Sequence, residues 1–299
     1  MDTFTITLPN GEALMGIKFL IENGKANLVF ITGMQEYAKR YTPLAQYLNK
    51  KGINVWILDH FGQGLNAPTI KDLQIWPKNG FDMTVDALHL LILEAKQNGL
   101  PTVQGGHSMG SFITQARLEK YPLDADKTLI VGSNGGQAFL MTIAAFLSKM
   151  LVHKSNWDKP NKFLASLAFG PYNAKIKNLR TKVDWLSYNH KNVDAYVADP
   201  YLGAPNTGGF WREFLKGMST IWKTNNLKKI NKNEIIYLTS GQDDPVGQYG
   251  KGVQWLKQTY QKLGIKNVTL KLYPNMRHEI HNEDGYKEVY ADWAKFILD

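Results

Sequence analysis

The segment VQGGHSMGSF, residues 103–112, places a serine between a strand pattern and a helix pattern. PTVQGGHS has the pattern of a buried strand, and MGSFITQARLEKY, which follows, has that of a helix. Gly106, Ser108 and Gly110 complete the pattern G-x-S-x-G. In such a strand-to-helix turn the serine is exposed, and the glycines leave room for closely packed backbone. This context favours a nucleophilic Ser108 over a serine that caps the helix. We interpret His107 as structural, on the argument that adjacent turn residues cannot face one pocket.

Strand patterns alternate with helix patterns on both sides of this turn. ANLVFITG and INVWILD are short apolar runs typical of buried strands, and each is followed by a segment of helix pattern. The same alternation resumes near the end of the chain with NEIIYLTSG and NVTLKLYP. TFTITLP and EALMGIKFLI, joined at Asn10-Gly11, indicate an opening hairpin. The pattern predicts an α/β fold, with a mostly parallel wound sheet and helices on both faces.

The alternation is interrupted by aromatic, lysine-rich sequence in the middle of the chain. We predict that residues 1–134 and 231–299 form the core and that residues 135–230 form an inserted, mainly helical cap, or lid. The segment from Met141 to Lys232 has 15 Lys or Arg against 5 Asp or Glu, in a chain whose net charge is +9. The whole positive excess therefore lies in the cap. We interpret it as a solvated face, with peripheral docking on anionic lipid headgroups as the alternative.

The composition excludes several classes of protein. There is no cysteine, so disulfides, zinc-thiolate sites and a cysteine nucleophile are impossible. The first residues, MDTFTITLPNGEALMGIKFL, lack the basic and then apolar regions of a secretory signal. The longest apolar stretch, AFLMTIAAFLSKMLV, is shorter than the roughly 20 residues that span a bilayer. We expect a soluble, cytoplasmic protein, and no recognition motif supports nucleic-acid binding.

A serine hydroxyl becomes a good nucleophile only when an imidazole removes its proton and a carboxylate orients that imidazole. Asp244 follows the strand pattern EIIYLT, and His278 follows TLKLYP. The order Ser108, Asp244, His278 is that of the α/β-hydrolase fold. Two alternatives remain at this point. Asp243 could be the acid instead of Asp244, or both could only form a turn, and His281 could be the base instead of His278.

Four motifs in this order resemble the serine α/β hydrolases of the monoacylglycerol lipase and lysophospholipase group. They are LDHFGQG, GGHSMGS, SGQDDPVG and YPNMRHEIHNE, and the similarity extends to DAYVADPYLGAPNTGGFWREFLKGM in the cap. The resemblance implies that Asp244, three residues after Gly241, is the triad acid and that His278 is the base. It also implies an oxyanion hole made by the backbone N–H groups of Met34 and Met109.

The chain departs from the pattern of this family in three motifs. Thr32 and Tyr37 occupy the two histidine positions of the loop motif His-Gly-x-x-Glu-His. DHFGQG replaces Asp-His-Arg-Gly-His-Gly, which puts Gln63 at the second histidine, and Ser111 stands where a third glycine is common. Because the oxyanion donors are backbone groups, we expect these changes to alter the geometry of the loop rather than its role.

Together these features predict a serine carboxylic-ester hydrolase that acts on a lipid-like ester through an acyl-enzyme intermediate. Monoacylglycerol and lysophospholipid are the leading substrates, and the reaction needs no metal and no organic cofactor. The alternatives on the same triad are a short-chain esterase, a thioesterase, a peptidase or an acyltransferase. The alternative from a different class is a non-catalytic member whose cap binds a lipid or a partner. The apolar stretch AFLMTIAAFLSKMLV then either lines an acyl channel or packs the cap onto the core.

Overall fold

The centre of the molecule is a single eight-stranded sheet, in a computed structural model that describes residues 1–299. The strands are β1 Asp2–Thr7, β2 Ala13–Phe19, β3 Ala26–Ile31, β4 Ile53–Leu58, β5 Thr102–His107, β6 Lys127–Val131, β7 Ile235–Gly241 and β8 Asn267–Tyr273. Their order in the sheet is β1-β2-β4-β3-β5-β6-β7-β8. The β1–β2 and β2–β4 pairs are antiparallel, and all other neighbours are parallel. The predicted mostly parallel sheet is confirmed.

Ten α-helices connect the strands or cover the sheet. They are α1 Thr42–Lys50, α2 Gly80–Ala95, α3 Met109–Lys120, α4 Ala138–Leu151, α5 Lys162–Phe169, α6 His190–Ala198, α7 Gly208–Met218, α8 Thr224–Leu227, α9 Lys251–Lys262 and α10 Tyr286–Leu298. None of them has the length and apolar character that crossing a bilayer requires.

The central strands are covered on both faces. Every residue of β3, β4 and β5 is buried, as expected for parallel strands that lie between two layers of helices. Alternate residues of β3 point to opposite sides. Val29 and Ile31 pack into a hydrophobic cluster with α2, α3 and α9, whereas Leu28 and Phe30 pack into another with α1 and α10. The helices therefore lie on both faces, as the sequence predicts.

Between β6 and β7 the chain leaves the sheet and forms helices α4 to α8. The predicted limits of the cap, residues 135 and 230, fall in the loops at the two ends of this insertion. Helix α7 is part of the main core, because Phe210 and Trp211 are fully buried in the same hydrophobic cluster as Val29. The Phe210 ring meets the ring of Trp76, before α2, edge to face at a centroid distance of 4.8 Å. The inserted segment thus shares the core of the body.

We predict that Phe210→Ala lowers the free energy of unfolding of the whole protein by about 3–5 kcal/mol, because it leaves a cavity in the shared core. Phe139→Ala, in the same insertion but 81% exposed, should change it by less than about 0.5 kcal/mol. Urea unfolding followed by tryptophan fluorescence measures both variants. An unfolding transition of the insertion that is separate from that of the body would contradict a shared core.

Candidate active site

Ser108 occupies a strained turn between β5 and α3. Its backbone has φ 54° and ψ −119°, a region that residues with side chains rarely adopt. A Cβ on Gly110 would run into the carbonyl groups of Ile31 and Thr32, and a Cβ on Gly106 would run into the backbone of Gly110. The two glycines therefore allow α3 to begin directly against β3 and β5. The half-buried serine is left at the tip of the turn.

Asp244 and His278 lie in the loops that follow β7 and β8. Asp244 is completely buried, and each of its carboxylate oxygens is 3.0 Å from Nδ1 of His278. The carboxylate also accepts hydrogen bonds from the Ser240 hydroxyl at 3.1 Å and from the Val246 N–H at 2.9 Å. A carboxylate at Nδ1 keeps the proton on that nitrogen and leaves Nε2 as the free base.

The two alternative residues make different contacts. Asp243 accepts a hydrogen bond from the hydroxyl of Tyr188, at 3.0 Å. His281 is buried and stacks on Tyr41 with ring centroids 4.9 Å apart, and neither of its ring nitrogens has a hydrogen-bond partner. Of these two aspartates and two histidines, the structure pairs Asp244 with His278.

Ser108 and His278 line one cavity of about 760 Å³. Of its 35 lining residues, 23 are hydrophobic, and its apolar walls come largely from the insertion. These wall residues include Leu140, Met141, Ala144 and Leu147 of α4, Leu164 and Leu167 of α5, and Phe214 and Met218 of α7. The stretch AFLMTIAAFLSKMLV therefore lines the cavity. Its opposite face is open to solvent, with Phe139, Phe146 and Met150 between 59% and 81% exposed.

Met34 and Met109 bring two backbone amides to the same cavity. Met109 is the first residue of α3, so its N–H has no acceptor within the helix. The N–H of Met34 donates to no other group of the protein. Gly33 lies directly beside the serine, since a Cβ on Gly33 would be 3.2 Å from the Cβ of Ser108. Both amides are thus available to a group bound next to Ser108.

A buried network of charges connects this loop to the residues around His278. The Glu36 carboxylate accepts hydrogen bonds from the Gly33 N–H at 2.6 Å and Arg40 at 2.8 Å, and lies 2.9 Å from Nδ1 of His107. Arg40 in turn makes a two-pronged ion pair with Glu279, at 2.7 and 2.8 Å. Burial alone would raise the pKa of Glu36, but the His107 hydrogen bond and the neighbouring positive charges outweigh it and lower the pKa to about 2.

The same interactions shift the other members of this network. Burial opposes ionisation of Glu279, but the charge and hydrogen bonds of Arg40 hold its pKa well below the usual range. Burial would lower the pKa of His107, and the bond to Glu36 raises it instead. In this network Arg40 lies between two carboxylates, Glu36 and Glu279, and Glu36 also forms a hydrogen bond with His107.

One group of side chains has the composition of a metal site. The ligand atoms of Glu36, His107 and His281 lie within 4.8 Å of one another. The Glu36 carboxylate is already occupied, because it accepts hydrogen bonds from Gly33 and from the Tyr41 hydroxyl and pairs with Arg40. A guanidinium beside the same carboxylate repels a cation. These donors do not suit a metal ion.

His107 lines the same cavity as Ser108, so the argument that adjacent turn residues cannot face one pocket is wrong. The interpretation of His107 as structural stays a prediction, and its contacts support it, because the side chain is only 2% exposed. Its Nδ1 pairs with Glu36, and its Nε2 lies 3.3 Å from the carbonyl oxygen of His278.

The model of the serine aminopeptidase S33 family matches residues 22–285 of this chain. The chain belongs to that family. A monoacylglycerol lipase of Mycolicibacterium smegmatis is 24% identical to this S33-family protein over 280 residues, 91% of this chain and 87% of the relative. A monoglyceride lipase of Saccharomyces cerevisiae is 23% identical over 290 residues, which cover 93% of this chain and 87% of the relative. The resemblance to lipases of this group is confirmed, and the protein is a hydrolase.

The fold is also shared with solved structures. A thermostable carboxyl esterase from Bacillus coagulans, in complex with glycerol, superposes with a TM-score of 0.90 at 24% identity, over 100% of this chain and 99% of that one. A soluble variant of the monoglyceride lipase from Saccharomyces cerevisiae superposes with a TM-score of 0.72 at 18% identity, over 95% and 91%. The predicted α/β-hydrolase fold is confirmed.

Several contacts at the site of this S33-family protein were not identified from sequence. The ring of Trp185, from the insertion, lies 5.1 Å from the ring of His278. Glu36 and Arg40 are four residues apart, a spacing that puts side chains together in helical backbone and could have suggested a pair. No local pattern links that pair to Glu279, which is distant in sequence and near in space.

We predict that His281→Phe changes the pH dependence of stability. Burial lowers the pKa of His281 to about 3, whereas a histidine in the unfolded chain titrates near 6.5. Between these values the unfolded chain binds the extra proton, so His281 makes the native state less stable as the pH falls. When the pH is lowered from 7 to 5, the free energy of unfolding of the variant should rise by about 2 kcal/mol relative to that of wild type. Urea unfolding at both pH values measures this difference. An equal difference between variant and wild type at both pH values would mean that His281 binds protons as readily in the native state as in the unfolded chain.

Proposed function

We propose that this S33-family hydrolase is a serine carboxylic-ester hydrolase that cleaves monoacylglycerol-like esters through an acyl-enzyme intermediate. The observation that carries the proposal is the place of Ser108, on a strained turn in the wall of an apolar cavity that His278 also lines. His278 is paired with the buried carboxylate of Asp244. The relatives named monoacylglycerol lipase and monoglyceride lipase support the substrate class.

In the proposed reaction the Ser108 hydroxyl attacks the ester carbonyl while Nε2 of His278 takes its proton. His278 then gives that proton to the leaving alkoxide, and the acyl group stays on Ser108. In the second half, Nε2 of His278 takes a proton from a water molecule, which attacks the carbonyl carbon of the acyl-enzyme. The bond to the Ser108 oxygen then breaks, His278 returns the proton to that oxygen, and the fatty acid leaves. Asp244 keeps the proton on Nδ1 and stabilises the imidazolium that forms in both steps. All the proton transfers are carried by side chains of this chain.

The negative charge of each tetrahedral intermediate falls on the former carbonyl oxygen. The amides of Met34 and Met109 flank Ser108 and have no acceptor, which suits them to donate to that oxygen. The N-terminus of α3 points at the same place and adds the positive end of its dipole. We therefore assign the oxyanion hole to these two amides.

The apolar part of the cavity fits an acyl chain. Helices α4, α5 and α7 supply walls of Leu, Met, Ala and Phe side chains. Each methylene group that leaves water for such walls contributes about 0.8 kcal/mol to binding. A long-chain acyl group therefore gains more from this cavity than an acetyl group does, which favours a lipid ester over a short-chain ester.

The cavity wall offers few unpaired charges to an ionic headgroup. Glu36 and Glu279 line the wall, but both carboxylates are paired with Arg40. Lys251 is the single Lys or Arg among the lining residues, so a phosphate headgroup would meet one cation at most. Gln35 and Tyr196, on the same wall, offer polar groups to hydroxyls. We therefore favour monoacylglycerol over lysophospholipid.

The outer face of the insertion fits a lipid surface. Phe139, Phe146 and Met150 of α4 and Phe163 of α5 are exposed, although they are large and apolar. Exposed lysines stand beside them, at positions 149, 154 and 162. An apolar face with flanking lysines is the pattern of a segment that lies in the interface of an anionic membrane. We propose that this face docks peripherally on such a membrane, so that substrate enters the cavity from the lipid.

We predict that Ser108→Ala and His278→Ala each lower kcat for release of oleate from monooleoylglycerol by about 10⁴-fold or more, and Asp244→Asn by about 10⁴-fold. Asp243→Asn is the matched control for the acid and should stay within threefold of wild type. Lysophosphatidylcholine with the same acyl chain tests the headgroup, and kcat/KM should be at least tenfold lower for it.

Other outcomes of that experiment identify the alternatives. A larger loss of kcat for Asp243→Asn than for Asp244→Asn would contradict the assignment of Asp244 as the triad acid. Faster cleavage of lysophosphatidylcholine would reverse the assignment of the leaving group. A wild-type protein that folds but cleaves neither lipid, nor an acyl thioester nor a peptide anilide, would make the non-catalytic binder the better account.

We predict that the double variant Phe146→Ser with Met150→Ser binds at least fivefold more weakly to vesicles of phosphatidylglycerol and phosphatidylcholine, because it removes apolar area from the docking face. Its activity on a dispersed short-chain ester should be unchanged. Leu123→Ser is the control, because Leu123 is 73% exposed in the loop before β6, outside the insertion. Co-sedimentation measures binding. Equal binding of all three proteins would show that α4 is not the docking surface.

A further inference from the structure

Gln63, in the loop after β4, is a buried glutamine whose amide group is fully used. Its Nε2 donates to the carbonyl oxygens of Gly33, at 2.9 Å, and of Glu36, at 2.7 Å. Its Oε1 accepts a hydrogen bond from the N–H of Gln35, at 3.0 Å. All three bonds go to the backbone of one short loop, the loop that carries the amide of Met34.

The bond to Gly33 has a consequence for Met34. The carbonyl of Gly33 and the N–H of Met34 belong to one planar, trans peptide group and point in opposite directions. A donor that fixes the carbonyl therefore fixes the direction of the N–H. The next residue, Gln35, has a left-handed φ of 61°, which costs energy for a residue with a side chain. Gln63 stabilises this strained turn from both sides, through its donors and its acceptor.

Ser111 adds a side-chain donor at the other amide, where the carbonyl oxygen of Ser108 also accepts the backbone N–H of Ser111 at 2.9 Å. Its hydroxyl donates to the carbonyl oxygen of Ser108 at 2.5 Å, and that carbonyl shares a peptide group with the N–H of Met109. The hydroxyls of Ser111 and Ser133 are 2.7 Å apart, and the Gln115 amide donates to Ser133 at 2.8 Å. Hydrogen bonds in such a chain polarise one another. A peptide group whose carbonyl accepts a strong hydrogen bond is also a better donor at its N–H.

We propose that Gln63 and Ser111 are positioning residues of the oxyanion hole, one for each of its two donors. The inference rests on the proposed function, because it takes the Met34 and Met109 amides as the donors. Both residues depart from the family motifs, which have a histidine and a glycine at these positions. The side chains do not line the cavity, so they act on the reaction only through the two peptide groups.

The test uses Gln63→Met, Gln63→Glu and Ser111→Ala in the full chain. Gln63→Met removes the donors and the acceptor, and Gln63→Glu keeps the acceptor for Gln35 but loses the donors. Each should lower kcat for a monoacylglycerol by about 10- to 100-fold, less than the loss of an oxyanion donor itself, with KM within threefold. Affinity for a trifluoromethyl ketone, which forms a tetrahedral adduct with the serine, should fall in parallel. Affinity for a non-cleavable ether analogue should not change.

The controls separate positioning from loss of a buried polar group. Gln104→Met removes another fully buried glutamine, which donates to Thr128 in the sheet. Ser148→Ala removes another buried hydroxyl that donates to the carbonyl three residues before it. Both controls should keep kcat within twofold, even where urea unfolding shows lower stability.

The outcomes distinguish this inference from the proposed function. If wild type cleaves the lipid and Ser108→Ala does not, but kcat of the Gln63 and Ser111 variants stays within twofold, positioning is wrong and the proposed function stands. Equal losses of kcat in the matched controls would also overturn positioning. If wild type has no Ser108-dependent activity, both proposals fail.

Discussion

The left-handed backbone of Ser108 is the constraint on which the site depends. A residue with a side chain adopts φ 54° only where the surroundings enforce it, and here β5 ends and α3 begins within one residue. Gly106 and Gly110 make that turn possible, because any side chain there would collide with backbone. The strain is held by the fully buried strand on one side and by an almost fully buried helix on the other. The serine is thereby presented to a cavity rather than to the core.

The second organising feature is the buried network of Glu36, His107, Arg40 and Glu279 behind the serine. Glu36 connects the loop of Met34 to the turn at Ser108, because it accepts a hydrogen bond from Gly33 and contacts His107. Arg40 binds both Glu36 and Glu279, the residue that follows His278. Charges buried in this way are costly unless they are paired and hydrogen-bonded, and here each carboxylate is. The network joins three loops that come from distant parts of the chain. It therefore fixes the loop of Met34 and the loop of His278 relative to each other.

Features that depend on a short stretch of the chain could be predicted from the sequence. Period and spacing predict the order of the strands and of the helices outside the cap, the turn at Ser108, and the loop positions of Asp244 and His278 after their strands. Features formed by packing were not predictable. The choice between two roles for α4 needed the position of the cavity, and the sharing of the core by Phe210 needed the contact with Trp76. Gln63 looked like a departure from a motif until its three backbone partners were visible.

The most direct test is whether Ser108 reacts as an activated nucleophile. A fluorophosphonate reacts with such a serine and leaves a phosphonyl group on its oxygen, which peptide mass spectrometry locates. We expect one adduct, on the tryptic peptide that contains Ser108, and no adduct when the protein carries Ser108→Ala. An adduct on a different serine, or none on a protein that is folded by circular dichroism, would contradict this expectation.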